Sequence, residues 1–383
     1  MKKLFFPITF LLLTTACQKV PVKADFALAE SQTRDMLSVM DDPTCVPRSV
    51  KPDGSVRCSP IEDWTSGFFA GTLWNLYEYT GDDFWKEQAD RWTWGLEPLR
   101  HFTKHHDVGF MVGCSFGNGW RLTGDERYKE VIIDAANSLS TRFRPEVGLI
   151  QSWDAKHVPN AQYPVIIDNM MNLELLFLAS ELSWDKRFYE VAVSHADRTM
   201  ENHFREDFSS YHVIDYDSIS GAVRQKRTSQ GYAHESAWSR GQAWGLYGFT
   251  MCYRYTNDPK YLAQAIGIAD FILSHPNLPE DGVFYWDFDA PKIPDEPRDV
   301  SAAVIAASAL LELSRYVKGD RYRDTAVQIL QSLSAPPYVA EPGANGHFIL
   351  TGSVGSFPAK SEVSVPLNYA DYYFLEALNR YNK

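Results

Sequence analysis

Thr80-Gly81-Asp82-Asp83-Phe84-Trp85 places a helix-ending glycine, a helix-capping acid and an aromatic pair in one short stretch. The same order returns as Thr123-Gly124-Asp125-Glu126-Arg127-Tyr128 and as Ser183-Trp184-Asp185-Lys186-Arg187-Phe188. Two later copies are Thr256-Asn257-Asp258-Pro259-Lys260-Tyr261 and Lys318-Gly319-Asp320-Arg321-Tyr322. Each reads as a tight helix-to-helix corner, with Gly or Asn closing one helix and Asp capping the next. The copies are unequally spaced, which argues against a regular solenoid. It suits hairpins with tight corners on one face and variable loops on the other. Five corners, a first helix near Asp25–Met40 and a last near Tyr369–Asn379 give six hairpins. The expected fold is therefore all-α, an (α/α)6 toroid in residues 18–383, with tandem helical hairpins as the alternative. The inner helices should be apolar on all sides, and Gly109–Cys114, Gly241–Leu246 and Ser301–Leu313 have that character.

Outside the corners, the 383 residues are 45% hydrophobic and 22% charged, which excludes a disordered or fibrous chain. The net charge of −12 argues against nucleic acid or an anionic membrane surface as a partner. An anionic ligand would need a local basic pocket. The 11 Trp, 20 Tyr and 22 Phe suit stacking on sugar rings, although aromatic-rich cores use the same residues.

The N-terminus reads as an address. Lys2 and Lys3 precede an apolar run, Leu4–Leu13, and then Thr14-Thr15-Ala16-Cys17. This is the order of a bacterial signal peptide over residues 1–17, too short to span a membrane. Cys17 after Ala16 resembles a lipobox, with Thr14 where Leu is usual, so a lipid anchor at Cys17 is expected. The chain should be exported, either periplasmic or membrane-anchored, in a Gram-negative-type bacterium. In that setting Cys45 and Cys58, flanking a Pro/Gly/Ser-rich loop, are candidates for a disulfide. Cys114 and Cys252 sit in apolar contexts and read as inert core thiols. No cysteine or histidine spacing indicates structural zinc.

Four segments break the helical pattern at loop-to-inner-helix junctions. His105-His106-Asp107-Val108-Gly109-Phe110 holds an acid that is either a helix cap or part of a site. In Ile166-Ile167-Asp168-Asn169-Met170-Met171, Asp168 lies between apolar pairs whose desolvation would keep its carboxyl protonated near neutrality. The alternative is again a cap, here of a helix over Asn169–Leu182. Beyond Ser229-Gln230-Gly231-Tyr232, Arg240 and Trp244 share a helix face, a pairing suited to a sugar carboxylate and its ring. Glycine at 241 and 245 suggests that this face is open rather than buried. Finally, Ser353, Ser356 and Lys360 lie in a glycine-containing loop that could hold a small anion.

Taken together, His-His-Asp-x-Gly-Phe, Ile-Asp-Asn-Met-Met-Asn, Gln-Gly-Tyr and Trp-x-Arg-Gly-Gln-Ala-Trp resemble the unsaturated glucuronyl hydrolases, glycoside hydrolase family 88. The closing Val365-Pro366-Leu367-Asn368-Tyr369-Ala370-Asp371 matches as well. The resemblance runs from Trp64 to the C-terminus and implies the same toroid. It implies that Asp168 is the catalytic acid/base and Asp107 the second catalytic carboxylate, with His106 beside it. Trp64, Trp153, His212, Gln230, Trp238, Arg240, Trp244 and Tyr369 fall where the family lines its substrate pocket. Ser353, Ser356 and Lys360 fall near its sulfate-reading segment, with Lys360 further along the chain. The implied substrate is a lyase-generated glycosaminoglycan oligosaccharide with a 4,5-unsaturated uronic acid at its non-reducing end. The implied chemistry needs no metal and no organic cofactor. A rhamnogalacturonyl-type hydrolase, a non-catalytic glycan-binding lipoprotein and a metal-dependent lyase are the alternatives.

Overall fold

The structure is a computed structural model that describes residues 19–157 and 160–383. The signal peptide and Cys17 lie outside the described residues. Twelve α-helices appear among them: α1 Val22–Val39, α2 Ser66–Thr80, α3 Asp83–Trp94, α4 Asn118–Thr123, α5 Glu126–Ser140, α6 Leu173–Ser183, α7 Lys186–Asn202, α8 Ser239–Thr256, α9 Pro259–Ser274, α10 Val300–Leu313, α11 Arg321–Leu333 and α12 Asn368–Asn382. A π-helical segment, Gly109–Gly117, runs into α4 and completes that inner helix.

The inner helices meet in a closed circuit. α2 packs on the π-segment, the π-segment on α6, α6 on α8, α8 on α10, α10 on α12, and α12 back on α2. Each is followed by an outer helix, and α1 closes the sixth pair against α12. Burial follows from composition: α8 is buried without interruption from Ser239 to Cys252, and α10 along its whole length. The amphipathic outer helices bury one stripe only, as α7 does with Phe188, Ala192, His195, Ala196 and Thr199. The result is the (α/α)6 toroid, with one apolar core running from Val20 to Leu378.

Four corners form as the sequence indicates. Asp82, Asp125, Asp185 and Asp258 each accept a hydrogen bond from the backbone N–H two residues on. The preceding residues take left-handed φ values of 67°, 65°, 61° and 54° at Gly81, Gly124, Trp184 and Asn257. Trp184 is the exception to the Gly-or-Asn expectation, holding the left-handed position with its ring in solvent. The fifth corner is looser. α10 ends at Leu313, the chain turns through Ser314–Tyr316, and the Asp320 side chain makes no cap.

The opposite face carries the long loops, and these hold strands that helix periodicity does not announce. β1 Cys45–Val50 pairs with β2 Val56–Pro60, and β3 Phe143–Arg144 with β4 Leu149–Ile150. β5 Tyr163–Ile166, β6 Val213–Tyr216 and β7 Val223–Arg227 form one antiparallel sheet. β8 Ser353–Ser356 pairs with β9 Ser361–Val365 before α12. Cys45 and Cys58 are disulfide-bonded across the β1–β2 hairpin, while Cys252 is a buried free thiol and Cys114 a half-buried one.

A cavity of about 420 Å³ opens at the corner end of the ring. Its charged walls pair internally: Arg254 meets Glu174 at 2.5 Å and Glu312 at 2.9 Å, and Arg380 meets Glu312 at 3.0 Å and Glu376 at 3.4 Å. These bonds tie α6, α8, α10 and α12 together. Neither Asp107 nor Asp168 lines this space. No described helix is long and apolar enough to cross a membrane.

Candidate active site

The N-terminal ends of the inner helices converge on the loop face, and the candidate residues sit there. Trp64 precedes α2, Asp107 the π-segment, Asp168 α6, Trp238 α8 and Asp299 α10, while Tyr369 lies in the first turn of α12. Helix N-termini carry partial positive charge, so this end of the ring favours an anion even in an acidic protein. The helices approach closely at this level. A Cβ on Gly109 would stand 2.4 Å from the Asn172 Cα, so only glycine lets the π-segment reach the turn that carries Asp168. The Asn172 Oδ1 then accepts the Phe110 N–H at 3.0 Å.

Asp107 does not cap the helix. The residue at the cap position is Val108, and both Asp107 carboxylate oxygens face imidazoles. Oδ2 lies 3.0 Å from His105 Nδ1, and Oδ1 lies 3.3 Å from His106 Nε2. Burial works against its charge, but His106, then His105 and Arg142 outweigh it and hold the carboxyl below its ordinary value. His106 is fully buried, which pushes its titration down to about 4 and leaves the ring neutral.

Asp168 is not a cap of α6 either. It lies within a 3₁₀ turn, Ile167–Asn172, and α6 starts only at Leu173. Burial pushes its carboxyl up to about 7, against the pull of Arg240 and with the push of the Asp107 charge. His212 accepts the Ser229 and Gln230 N–H groups at Nδ1, both at 3.1 Å, so its proton sits on Nε2. That Nε2 stands 3.7 Å from Asp168 Oδ2. Asp168 Oδ2, His212 Nε2, Arg240 Nε, Trp244 Nε1 and Tyr369 Oη are all buried without a hydrogen-bond partner among the described residues. A cluster of unsatisfied polar atoms around an acid is costly in a plain core and characteristic of a site.

The Arg240 environment corrects the sequence reading. Its guanidinium is 1% exposed and pairs with the buried Asp299 at 2.7 Å. Nη1 also donates to the Val354 carbonyl, and Nη2 donates to the Gly355 carbonyl at 2.6 Å. Gly241 opens nothing: a Cβ there would meet the Trp238 ring at 2.8 Å. Arg240 is thus a clamp on β8, with Nε the guanidinium nitrogen left without a partner among the described residues. Gln230 donates to the same Gly355 carbonyl at 3.0 Å.

An aromatic chain surrounds these groups. Trp153 meets His212 at 6.2 Å, His212 meets Trp238 at 4.6 Å, and Arg240 lies over Trp238 and Tyr369. Tyr369 meets Trp64 at 5.0 Å, Trp64 meets Phe110 at 5.5 Å, and Phe110 meets Trp244 at 5.1 Å. Trp64, Trp153, Gln230 and Asp168 keep partial exposure, whereas His106, Trp244 and Tyr369 are buried behind them. The anion loop is not brought together as expected. Ser353 is fully buried at the start of β8, Ser356 half-buried at its end, and Lys360 exposed in the turn before β9. Among the described residues no three His, Cys, Asp or Glu side chains gather as metal ligands would. His105 and Asp299 belong to the site although the sequence reading left them out. Asp299 carried only a cap signal ahead of Ser301, and His105 stood beside a better-marked neighbour.

Chemically, one carboxyl is kept protonated near neutrality and the other ionised, on adjoining walls of one aromatic cleft. That division suits general acid catalysis with stabilisation of a cation.

Comparison with known proteins agrees. The model of Glycosyl Hydrolase Family 88 matches residues 48–255. An unsaturated glucuronyl hydrolase from Formosa agariphila is 51% identical over 84% of this chain and 80% of its own length. An unsaturated chondroitin disaccharide hydrolase from Streptococcus agalactiae is 34% identical over 84% of this chain and 82% of its own. The crystal structure of an unsaturated glucuronyl hydrolase specific for heparin superposes with a TM-score of 0.91 at 48% identity, covering 94% of this chain and 96% of that one. With its fold and these relatives in agreement, the chain belongs to glycosyl hydrolase family 88 and is a glycosidase.

Proposed function

We propose that this enzyme removes a 4,5-unsaturated uronic acid from the non-reducing end of glycosaminoglycan disaccharides and short oligosaccharides, by hydrating the C4=C5 enol ether. The observation that carries this reading is the opposite tuning of Asp168 and Asp107 within one cleft. The relatives named above support the substrate class. So does a related Streptococcus agalactiae structure complexed with dGlcA-GalNAc6S, at a TM-score of 0.80 and 28% identity.

In this mechanism Asp168 delivers its proton to C4, and oxocarbenium character develops at C5 and the ring oxygen. Asp107 remains ionised and offsets that charge. Water adds at C5 and gives its proton to the Asp168 carboxylate, which restores the acid. The hemiketal opens by breaking the bond between C5 and the ring oxygen. The hemiacetal left at C1 then collapses and releases the aglycone, with one water consumed overall. Arg240 Nε, the helix N-termini and the Trp rings would hold the uronate. Loss of the enol-ether ultraviolet absorbance, measured over a panel of unsaturated disaccharides, tests this reading. Turnover of saturated glycosides with no turnover of any unsaturated one would refute it.

Export through the signal at residues 1–17, with lipidation at Cys17, is part of the same proposal. The Cys45–Cys58 disulfide supports an oxidising compartment. Mass spectrometry of the N-terminal peptide from expressing cells tests it, and an unprocessed Met1 would refute it.

A further inference from the structure

His105 lies in the loop before the π-segment with both ring nitrogens in contact with neighbours. Its Nε2 lies 3.1 Å from the Glu62 carbonyl oxygen, which only accepts hydrogen bonds, so Nε2 carries a proton. Its Nδ1 lies 3.0 Å from Asp107 Oδ2. With Nε2 already protonated, that approach is favourable when a second proton lies between Nδ1 and the carboxylate. The Asp107 amide also approaches Nδ1, at 3.3 Å, but using it as donor would leave the nearer carboxylate against a lone pair. Nε2 therefore faces a carbonyl oxygen, and the shortest contact of Nδ1, inside that of the Asp107 N–H, is the carboxylate.

We infer that His105 is an imidazolium in the resting enzyme and a positioning residue that fixes the charge and orientation of Asp107. The inference rests on the reading of Asp107 as the ionised partner of Asp168. The charged and titratable groups around the ring are few. Asp107 lies in front and His106 beside it, Arg142 contributes from the loop after α5, and the Phe102 ring packs edge-on at 4.6 Å. Burial and Arg142 disfavour the imidazolium, while Asp107 and the Glu62 carbonyl favour it more strongly, so its titration is raised from the ordinary histidine value. The two histidines then divide the work. His106, neutral and buried, holds Nε2 3.3 Å from Oδ1, and the Ser152 hydroxyl lies 3.4 Å from its Nδ1. His105 supplies the positive charge at Oδ2. Asp107 can stay ionised as Asp168 gains and loses its proton, because its counter-charge is built into the loop.

Nitrogen-detected NMR of the histidine rings in the full-length resting enzyme tests the charge state, with His105→Gln giving the assignment. Both His105 nitrogens should be protonated at pH 7, and Asp107→Asn should lower the His105 titration by about one pH unit or more. A single neutral tautomer at pH 7, or a titration unmoved by Asp107→Asn, would overturn the inference. Kinetics give a second readout. His105→Gln should move the acid limb of kcat/KM upward by about one pH unit, and His105→Lys should restore it. Lower thermal stability with an unmoved pH profile would show a merely structural histidine. The NMR readout uses no substrate, so failure on unsaturated disaccharides would refute the proposed function and leave the imidazolium standing.

Discussion

His212 presents a protonated Nε2 to Asp168 Oδ2 across 3.7 Å, slightly beyond hydrogen-bond reach. The separation keeps His212 from holding the ionised form by a hydrogen bond, and desolvation prevails over the pull of Arg240, so the proton stays until about pH 7. The active form carries that proton. kcat/KM should therefore fall as pH rises through about 7, and stay high on the acid side down to below 3.8, where Asp107 takes up a proton. A pH–rate profile checks this, and activity that rises through pH 7 would contradict it.

The same shift has a consequence for stability. A carboxyl whose folded-state pKa is raised contributes stability that is complete below its unfolded value and is lost as pH rises through the folded one. Asp168→Asn removes that loss. The variant should match the parent near pH 4 and become the more stable of the two as pH rises toward 7, by about 1.4 kcal/mol per pH unit at most. Thermal melts at several pH values would show the widening gap. A constant gap, or one that narrows, would mean that Asp168 titrates normally.

Arg240 and Asp299 are both withdrawn from solvent, and together they hold the backbone of β8. Removing one member strands a buried charge, which typically costs about 3–5 kcal/mol. Arg240→Leu and Asp299→Leu should each lose stability on that scale by urea unfolding. The double variant should lose less than the sum. Additive losses would show that the pair is not coupled.

Asp107→Asn should lower kcat strongly with little change in KM, because its charge matters most as the ring becomes cationic. Steady-state kinetics on an unsaturated disaccharide separate the two parameters. A change in melting temperature alone would leave Asp107 a structural residue.

The parts of this architecture that were legible in the sequence are the local ones. Asp82 bonds the N–H two residues on and Gly81 takes the left-handed turn, so the corner is written in adjacent residues, and repetition around the ring follows. The Asp168 environment was legible for the same reason, since Ile166, Ile167, Met170 and Met171 sit beside it in the chain. What escaped depends on distant partners. The short strands pair across loops, Arg240 finds Asp299 on another inner helix, and Ser353 turns inward through its register with Val365. The glycines around Arg240 suggested an open face, whereas Gly241 makes room for Trp238. The π-segment was hidden because its residues are as apolar as those of an ordinary inner helix.

The central claim is that Asp168 supplies the proton, and the most direct measurement is turnover of an unsaturated disaccharide by Asp168→Asn, with binding measured on the same sample. The amide keeps the shape of the carboxyl but has no acidic proton to give. Turnover should fall by at least about 10²-fold, the lower end for general acid catalysis, while the dissociation constant stays near that of the parent. Turnover within about threefold of the parent, which corresponds to well under 1 kcal/mol in the barrier, would remove Asp168 from the mechanism.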